Sequence, residues 1–168
     1  MKAVLIIAFE NFRDEEYAEP KAVLEKAGVE VTTASSKLGM AKGKLGMSAK
    51  VDILLKDVKA SDYDAVLFVG GSGSYGYYDD PTAHKLARET VKEGKILGAI
   101  CAAPGILSHA GLLKGKKATA TPSEVDLIKQ SGAIYTNTGV VADEKLITAD
   151  GPQSAKAWGE AILKALKG

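Results

Sequence analysis

The stretch KILGAICAAPGIL, residues 95–107, decides how this chain folds and where its chemistry lies. The apolar run 96–100 predicts a buried strand, and the residues that follow Cys101 predict the start of a helix. Residues 102–105 are small, which allows the sharp strand–turn–helix connection of a nucleophile elbow. A cysteine at that turn would face free amides at a helix N-terminus, whose dipoles favour thiolate over thiol. From this position we predict that Cys101, the only cysteine of the chain, is a reactive thiol with a low pKa. The alternative is that it is a small buried hydrophobic residue.

Outward from this stretch, composition limits the class of protein. The chain has 168 residues, 46% of them hydrophobic and 26% charged, with a formal net charge of +1. We expect a single domain over residues 1–168, in the cytoplasm, with no affinity for nucleic acid and no membrane span. The apolar start at Met1–Ala8 is too short to cross a bilayer. One cysteine makes no internal disulfide, and no Cys/His cluster indicates a metal site.

Strand and helix patterns alternate along most of the chain. Strands are predicted at residues 1–8, 29–34, 65–69, 96–100, 117–120, 133–135 and 146–148, and helices at 14–27, 81–93, 103–110, 122–130 and 153–166. The glycine spacing within 35–55 predicts a hairpin or excursion with its own short strands. This alternation predicts an α/β fold with a mostly parallel central sheet and helices on both faces, in which sites form beyond the carboxyl ends of the strands.

The loop VGGSGSYGYYDD, residues 69–80, is the second feature of interest. Its glycines match G-x-G-x-x-G, but it follows an internal strand and no acidic residue ends the next strand, so a dinucleotide site is disfavoured. A Gly-Gly pair at a strand end instead allows Gly71 to aim its amide at a developing oxyanion, with the Ala102 amide as a second donor. Tyr75, Tyr77 and Tyr78 either line a pocket or pack within the loop.

Titratable residues near this edge are few. The segment RDEEYAEP, residues 13–20, places several acids at a helix start, where negative charge is favourable. A carboxyl of this segment that pointed inward beside the thiolate would instead have a raised pKa and could donate a hydrogen bond to the sulfur. His109 lies too far along its helix from Cys101 to act as its base, and we expect it to pack in the core. His84 is expected at a helix surface. The sequence therefore contains no visible Cys–His dyad.

Over essentially its whole length the chain resembles the ThiJ/PfpI superfamily. The motifs are AICAAPGILSHAGLLKGKKAT (99–119), DAVLFVGG (64–71), DEEYAEPKAVLEKAGVEV (14–31) and LITADGP (146–152). The resemblance implies a flavodoxin-like three-layer sandwich, no cofactor and a homodimer or larger homo-oligomer. It also implies that Cys101 is the nucleophile and that Glu16, four residues before Pro20, is its carboxyl partner.

The resemblance further assigns the oxyanion amides to Gly71 and Ala102. The surrounding pocket would be formed by Gly70, Tyr75, Thr121 and Pro122. Two positions depart from the family: Ala102 and Thr121 stand where its branches carry histidine.

Three functions follow as hypotheses. The first is a cofactor-independent cysteine enzyme acting on small reactive carbonyls, of glyoxalase or deglycase type, with an oxidation-sensitive nucleophile. The second is a redox or stress sensor in which Cys101 forms a stable sulfinate, because no second cysteine resolves a sulfenate. The third, an intracellular peptidase of PfpI type, is disfavoured because no histidine follows Cys101.

Overall fold

A computed structural model covers residues 1–168 and contains twelve strands and five helices. The strands are β1 (Lys2–Ile6), β2 (Glu10–Phe12), β3 (Glu30–Ser35), β4 (Gly39–Gly43), β5 (Ser48–Val51), β6 (Ile53–Leu54), β7 (Ala65–Phe68), β8 (Ile96–Ile100), β9 (Lys117–Ala118), β10 (Ile134–Tyr135), β11 (Val140–Asp143) and β12 (Leu146–Ala149). The helices are α1 (Asp14–Lys26), α2 (Pro81–Lys92), α3 (Pro104–His109), α4 (Val125–Gln130) and α5 (Ala155–Lys167). None of these helices has the length and apolar character that crossing a membrane requires.

The central sheet has seven strands in the order β11-β12-β8-β7-β1-β3-β6. Every neighbouring pair is parallel except β11 and β12. Buried residues divide into two clusters, one on each face of the sheet: Val4 and Ile6 of β1 belong to one, and Ala3 and Leu5 to the other. Because alternate residues of a strand point to opposite faces, the apolar run of β1 fits a strand covered on both sides.

Helices complete the two outer layers. The cluster that contains Val4 also holds Leu86 of α2 and Ile106 of α3, and the other cluster holds Leu24 of α1 and Trp158 of α5. The α/β fold with a mostly parallel sheet is thus confirmed, and it is a three-layer sandwich. The helix limits follow the predicted signals: α1 is followed by Gly28 at φ +87°, and the Asp80 side chain accepts a hydrogen bond from the Thr82 amide at 2.8 Å before α2.

A second, three-stranded sheet has the order β2-β4-β5 and contains the excursion predicted at 35–55. Two of its strands, β4 and β5, form an antiparallel hairpin. Neither β2 nor β11 was predicted. β2 has only three residues, two of them exposed, and β11 lies antiparallel at the sheet edge with one buried residue of four, so neither carries a strong apolar pattern.

The strand predicted at 117–120 is wrong in extent and in place. β9 ends at Ala118 and pairs with β10 outside the central sheet. The next amide, that of Thr119, donates at 3.0 Å to the side-chain hydroxyl of Thr148 in β12 instead of to a backbone carbonyl. This side-chain contact therefore takes the place of the backbone hydrogen bonds that would continue the strand. The carboxyl ends of β1, β7 and β8 lie side by side at one edge of the central sheet.

Candidate active site

Cys101 occupies the turn between β8 and α3 with a φ of +65°, a left-handed conformation that is unusual for a residue other than glycine. Hydrogen bonds on both sides fix its backbone: its N–H donates to the Ala149 carbonyl at 2.9 Å, and its carbonyl accepts the Thr121 N–H at 2.8 Å. A strained conformation persists only when its surroundings determine it, as these two bonds do. The sharp turn expected from the small residues after Cys101 is present.

The absence of a side chain at Gly70 allows the Glu16 carboxyl, Cys101 and the end of β8 to approach one another. A Cβ atom at Gly70 would lie 2.5 Å from Glu16 Oε1, 2.6 Å from the Ile100 carbonyl oxygen and 2.8 Å from Cys101 Cβ. The Gly70 carbonyl also accepts the Arg13 N–H at 3.0 Å, which fastens the start of α1 to the end of β7. Glycine is therefore required here for close approach rather than for its backbone freedom.

Glu16 is the inward-pointing acid of the cluster at residues 13–20. Its side chain is fully buried in the first turn of α1, and neither carboxyl oxygen has a partner in good hydrogen-bond geometry, although the Cys101 thiol and the Gly70 amide lie close enough to stabilise its anion. Burial raises the pKa of Glu16 to about 7, and the neighbouring Cys101 thiol, the Arg13 charge and the Gly70 amide only partly offset that effect. A carboxyl with that pKa is able both to accept and to release a proton near neutral pH.

The expected low pKa of Cys101 is wrong in direction. Burial, followed by the charge of Glu16, raises the pKa of the thiol to about 12, and Thr121 and the Ala102 amide offset this only in part. The helix that follows is a weak source of compensation, because α3 has six residues and begins only at Pro104. Since each anion disfavours the other, the pair carries at most one negative charge near neutrality.

Gly71 and Ala102, whose amides are predicted to bind an oxyanion, line the same cavity as Cys101. Gly71 has a φ of +100°, and a Cβ there would collide with the backbone of Arg13 and Asn11, so residue 71 is confined to glycine. Neither the Gly71 N–H nor the Ala102 N–H donates to a backbone carbonyl. The prediction that they bind an anionic oxygen requires amides without such main-chain partners, and both meet that requirement.

A cavity of about 200 Å³ opens at this point. Its lining brings together six predicted residues: Glu16, Gly71, Tyr75, Cys101, Ala102 and Thr121. Gly70 lies behind Glu16, and Pro122 is outside the lining. A larger cavity of about 590 Å³ lies between α1, β3 and β5, but Cys101 is not part of it.

Sequence reasoning missed five lining residues. They are Arg13, Lys44, Ser72, Ser123 and Pro152. Arg13 borders the acidic cluster and Pro152 closes the motif LITADGP, so both had a local signal. Lys44 had none, because only the packing of the hairpin brings it to this edge.

The tyrosines of the glycine loop have different places. Tyr75 is 43% exposed and lines the cavity, and its hydroxyl donates to Glu124 Oε1 at 2.5 Å. Tyr78 is buried beneath it, with ring centroids 4.9 Å apart, and donates to the Ala102 carbonyl at 2.6 Å. Tyr77 is buried and donates to the Ile7 carbonyl. Tyr77 and Tyr78 therefore support the loop, and only Tyr75 faces the cavity.

Neither histidine reaches the cavity. His109 is not a core residue as expected: it lies at the surface and pairs with Asp79 at 3.0 Å, because the last turn of α3 faces the loop before α2. His84 is partly buried, and its Nε2 hydrogen-bonds with the Tyr78 carbonyl. Glu16 is therefore the only carboxyl that lines the cavity with Cys101, and no imidazole does; the other titratable groups of the lining are Arg13, Lys44 and the Tyr75 hydroxyl.

Comparisons with known proteins give the same fold and identify the family. An uncharacterised protein of Methanocaldococcus jannaschii is 40% identical over 169 residues, covering 99% of this chain and 82% of that one. A deglycase of Pyrococcus horikoshii is 33% identical over 98% of this chain and 99% of its own. The crystal structure of a ThiJ/PfpI domain protein from Brachyspira murdochii superposes with a TM-score of 0.97 at 31% identity, covering 99% of this chain and 96% of that one. The family model for DJ-1/PfpI matches residues 1–165, and the chain belongs to the DJ-1/PfpI family.

Proposed function

We propose that this protein is a cofactor-independent cysteine enzyme that acts on small reactive carbonyl compounds, with glyoxalase and deglycase reactions as two outcomes of the same chemistry. The observation that carries the proposal is the buried Glu16 carboxyl, which lacks a hydrogen-bond partner and lies next to the only cysteine. An unsatisfied buried carboxyl destabilises a fold, so its presence there is best explained by use. The deglycase name of the Pyrococcus relative supports the same class of reaction.

The first step forms the covalent bond. Glu16 as carboxylate accepts the thiol proton of Cys101, and the sulfur adds to the aldehyde carbon of a substrate such as methylglyoxal. The carbonyl electron pair moves onto oxygen, where the amides of Gly71 and Ala102 stabilise the negative charge. The proton held by Glu16 then neutralises that oxygen, giving a hemithioacetal. Transfer of the proton to Glu16 removes the carboxylate charge that, after burial, contributes most to the raised pKa of the thiol. With a pKa of about 7, Glu16 is then able to release the same proton to the oxygen near neutral pH.

The second step regenerates the enzyme. Glu16 moves a proton from the former aldehyde carbon to the adjacent carbonyl carbon, and the hydroxyl proton of the hemithioacetal passes to the oxygen of that carbonyl. The two transfers convert the hemithioacetal into a lactoyl thioester without an external oxidant. Water then hydrolyses the thioester and releases lactate and the free thiol. When the aldehyde carbon has instead already added an amine to form a carbinolamine, the sulfur displaces the amine at that carbon. The C–N bond breaks, the amine leaves with the proton that Glu16 took from the thiol, and the resulting hemithioacetal follows the same steps to lactate. Ala102 and Thr121, where the family's branches carry histidine, leave Glu16 as the proton carrier.

Lactate formation from methylglyoxal tests the proposal in the wild type, Cys101→Ser and Glu16→Gln. We expect both variants to lose activity by about 10²-fold or more, the size of a general acid–base contribution. Glu19→Gln is the matched control, since Glu19 is an exposed acid on the same helix and should retain wild-type activity. Activity that survives Cys101→Ser would contradict the mechanism. An inactive wild type with Cys101 confirmed as thiol would favour the redox-sensing hypothesis.

A further inference from the structure

The cavity beside Cys101 carries two cations that the proposed reaction does not use. Arg13 and Lys44 both line it, and Glu16 is the only carboxyl in the lining. Glu16 loses its charge as it takes up a proton at a pKa of about 7. Three other acids lie outside the lining and are engaged: Glu15 pairs with Arg13, Glu124 accepts the Tyr75 hydroxyl, and Asp14 accepts the amides of Leu45 and Met47. The lining itself therefore holds two cations and one carboxyl that takes up a proton near neutral pH.

Arg13 has one unused edge. Its Nε and Nη2 atoms donate to the two carboxylate oxygens of Glu15, at 2.9 and 3.0 Å, which leaves Nη1 without a partner. The charge of Arg13 reaches the reacting groups, because it lowers the pKa of the neighbouring Glu16 carboxyl. The Glu15 pair holds the guanidinium in place while it offsets part of this charge.

The position of Lys44 is fixed by hydrogen bonds of the backbone around it and not by contacts of its side chain. Its backbone N–H donates to the Phe12 carbonyl at 2.9 Å. The Asp14 carboxylate accepts the N–H groups of Leu45 at 3.1 Å and Met47 at 2.9 Å, which docks the turn of the β4–β5 hairpin on the first turn of α1. The Lys44 ammonium itself forms no ion pair or hydrogen bond within the protein, so it is available to bind an anion in the cavity that Lys44 lines.

We propose that the Cys101 cavity selects small carbonyl compounds that carry a carboxylate, which Lys44 and the free edge of Arg13 hold while the aldehyde carbon faces the sulfur. The hydroxyls of Ser72, Thr121 and Ser123 complete a polar lining, and a volume of about 200 Å³ admits only a compound of a few carbon atoms. The bond-forming step is the addition described above, so the inference rests on the proposed function for its chemistry. The selection for charge is a property of the cavity itself.

Alkylation of Cys101 tests that selection without turnover. Iodoacetate and iodoacetamide have nearly the same size and differ in charge; with either one, the thiolate displaces iodide and forms a thioether. We would measure both rate constants by intact mass, take their ratio, and divide it by the same ratio for 2-mercaptoethanol. Because the same thiolate reacts with both reagents, the ratio is independent of the pKa of Cys101. Because Cys101 is the only cysteine, every adduct reports on this cavity.

The rate constant for iodoacetate divided by that for iodoacetamide, normalised to the same ratio for 2-mercaptoethanol, should be about five to ten, the size expected of partly screened opposite charges. Lys44→Gln and Arg13→Gln should each reduce it by at least about twofold, and about 0.5 M NaCl should reduce it in the wild type. Lys50→Gln, which removes a cation from the same hairpin outside this cavity, should leave it unchanged. A wild-type ratio near one, or a ratio that neither variant lowers, would overturn the proposal.

Inhibition of methylglyoxal turnover by small aldehydes tests whether the preference for a carboxylate also applies to substrate binding. Glyoxylate, an aldehyde with a carboxylate, should compete with methylglyoxal at about five- to tenfold lower concentration than glycolaldehyde, its neutral counterpart, and Lys44→Gln should abolish the difference. Equal inhibition by the two aldehydes would overturn the proposal. Charge-selective alkylation without lactate formation would leave the anion site standing while the proposed function fails, and lactate formation without charge selection would do the reverse.

Discussion

Glu16 is a carboxyl group that folding buries without giving either oxygen a hydrogen-bond partner. Its pKa rises from 4.5 to about 7 because burial disfavours the charged form. A folded-state pKa above the unfolded value means that the folded protein binds the proton more tightly. Its contribution to stability is therefore fully present below the unfolded pKa and is lost as the pH rises through 7. Glu16 should make the protein less stable above neutrality than below it.

Glu16→Gln removes this dependence. The difference between the two pKa values corresponds to about 3 kcal/mol. Relative to Glu16→Gln, the wild type should lose stability by up to about that amount between about pH 5 and about pH 8. Urea unfolding of both proteins at the two pH values, followed by the fluorescence of the single Trp158, measures it. Glu19→Gln should follow the wild type, and a Glu16→Gln curve parallel to the wild type would show that burial does not shift this carboxyl.

At the scale of elements, the end of β7 determines how closely β8 and α1 approach each other. Gly70→Ala places a Cβ 2.6 Å from the Ile100 carbonyl oxygen, a backbone atom of β8 that has no alternative rotamer. We expect a loss of stability of about 1–3 kcal/mol, as for an overpacked core position, together with impaired alkylation of Cys101. Thermal unfolding and iodoacetamide reaction rates measure the two effects.

Gly76→Ala is the control for that substitution. Gly76 lies in the same glycine loop, but a Cβ there meets no atom within 4 Å, and its φ is not in the left-handed region. The change should alter stability by less than about 1 kcal/mol, in either direction. If the two alanine variants unfolded alike, the close approach at Gly70 would not be what constrains this edge.

The elements also show how far sequence reasoning reaches. Continuous apolar runs located β1, β7 and β8, apolar periodicity and end signals located the longer helices, and the small residues after Cys101 located the sharp turn. The short β2 and the edge strand β11 carry little periodic signal and were missed. The predicted direction of the shift in the pKa of Cys101 was wrong, because burial of the thiol depends on which groups the fold packs around the sulfur. Arg13 and Lys44 were missed for a related reason, since their roles depend on contacts between distant segments.

At the scale of the whole molecule, the site joins two sheets. Strands β7 and β8 of the central sheet lead into Gly70 and Cys101, and the hairpin of the three-stranded sheet presents Lys44. Asp14, at the start of α1, holds the turn of that hairpin. Gly43 permits this contact, because a Cβ there would collide with the Asp14 carboxylate. The strands of the hairpin are paired and partly buried, but its turn, residues 44–47, is largely exposed and is expected to open more readily than the core beneath it. Asp14 therefore determines how persistently Lys44 stays at the cavity.

Asp14→Ala should release the hairpin without unfolding the sandwich. The amides of Leu45 and Met47 lose a charged acceptor, and we expect them to exchange with solvent about ten- to a hundredfold faster, while the amides of β1 and β8 keep their protection. Hydrogen exchange resolved by residue measures this, and Asp14→Asn, which keeps one acceptor oxygen, should fall between alanine and wild type. The preference of Cys101 for iodoacetate should decline in the same order. Faster exchange at the turn with an unchanged preference would mean that Lys44 does not need the docked hairpin to reach the cavity.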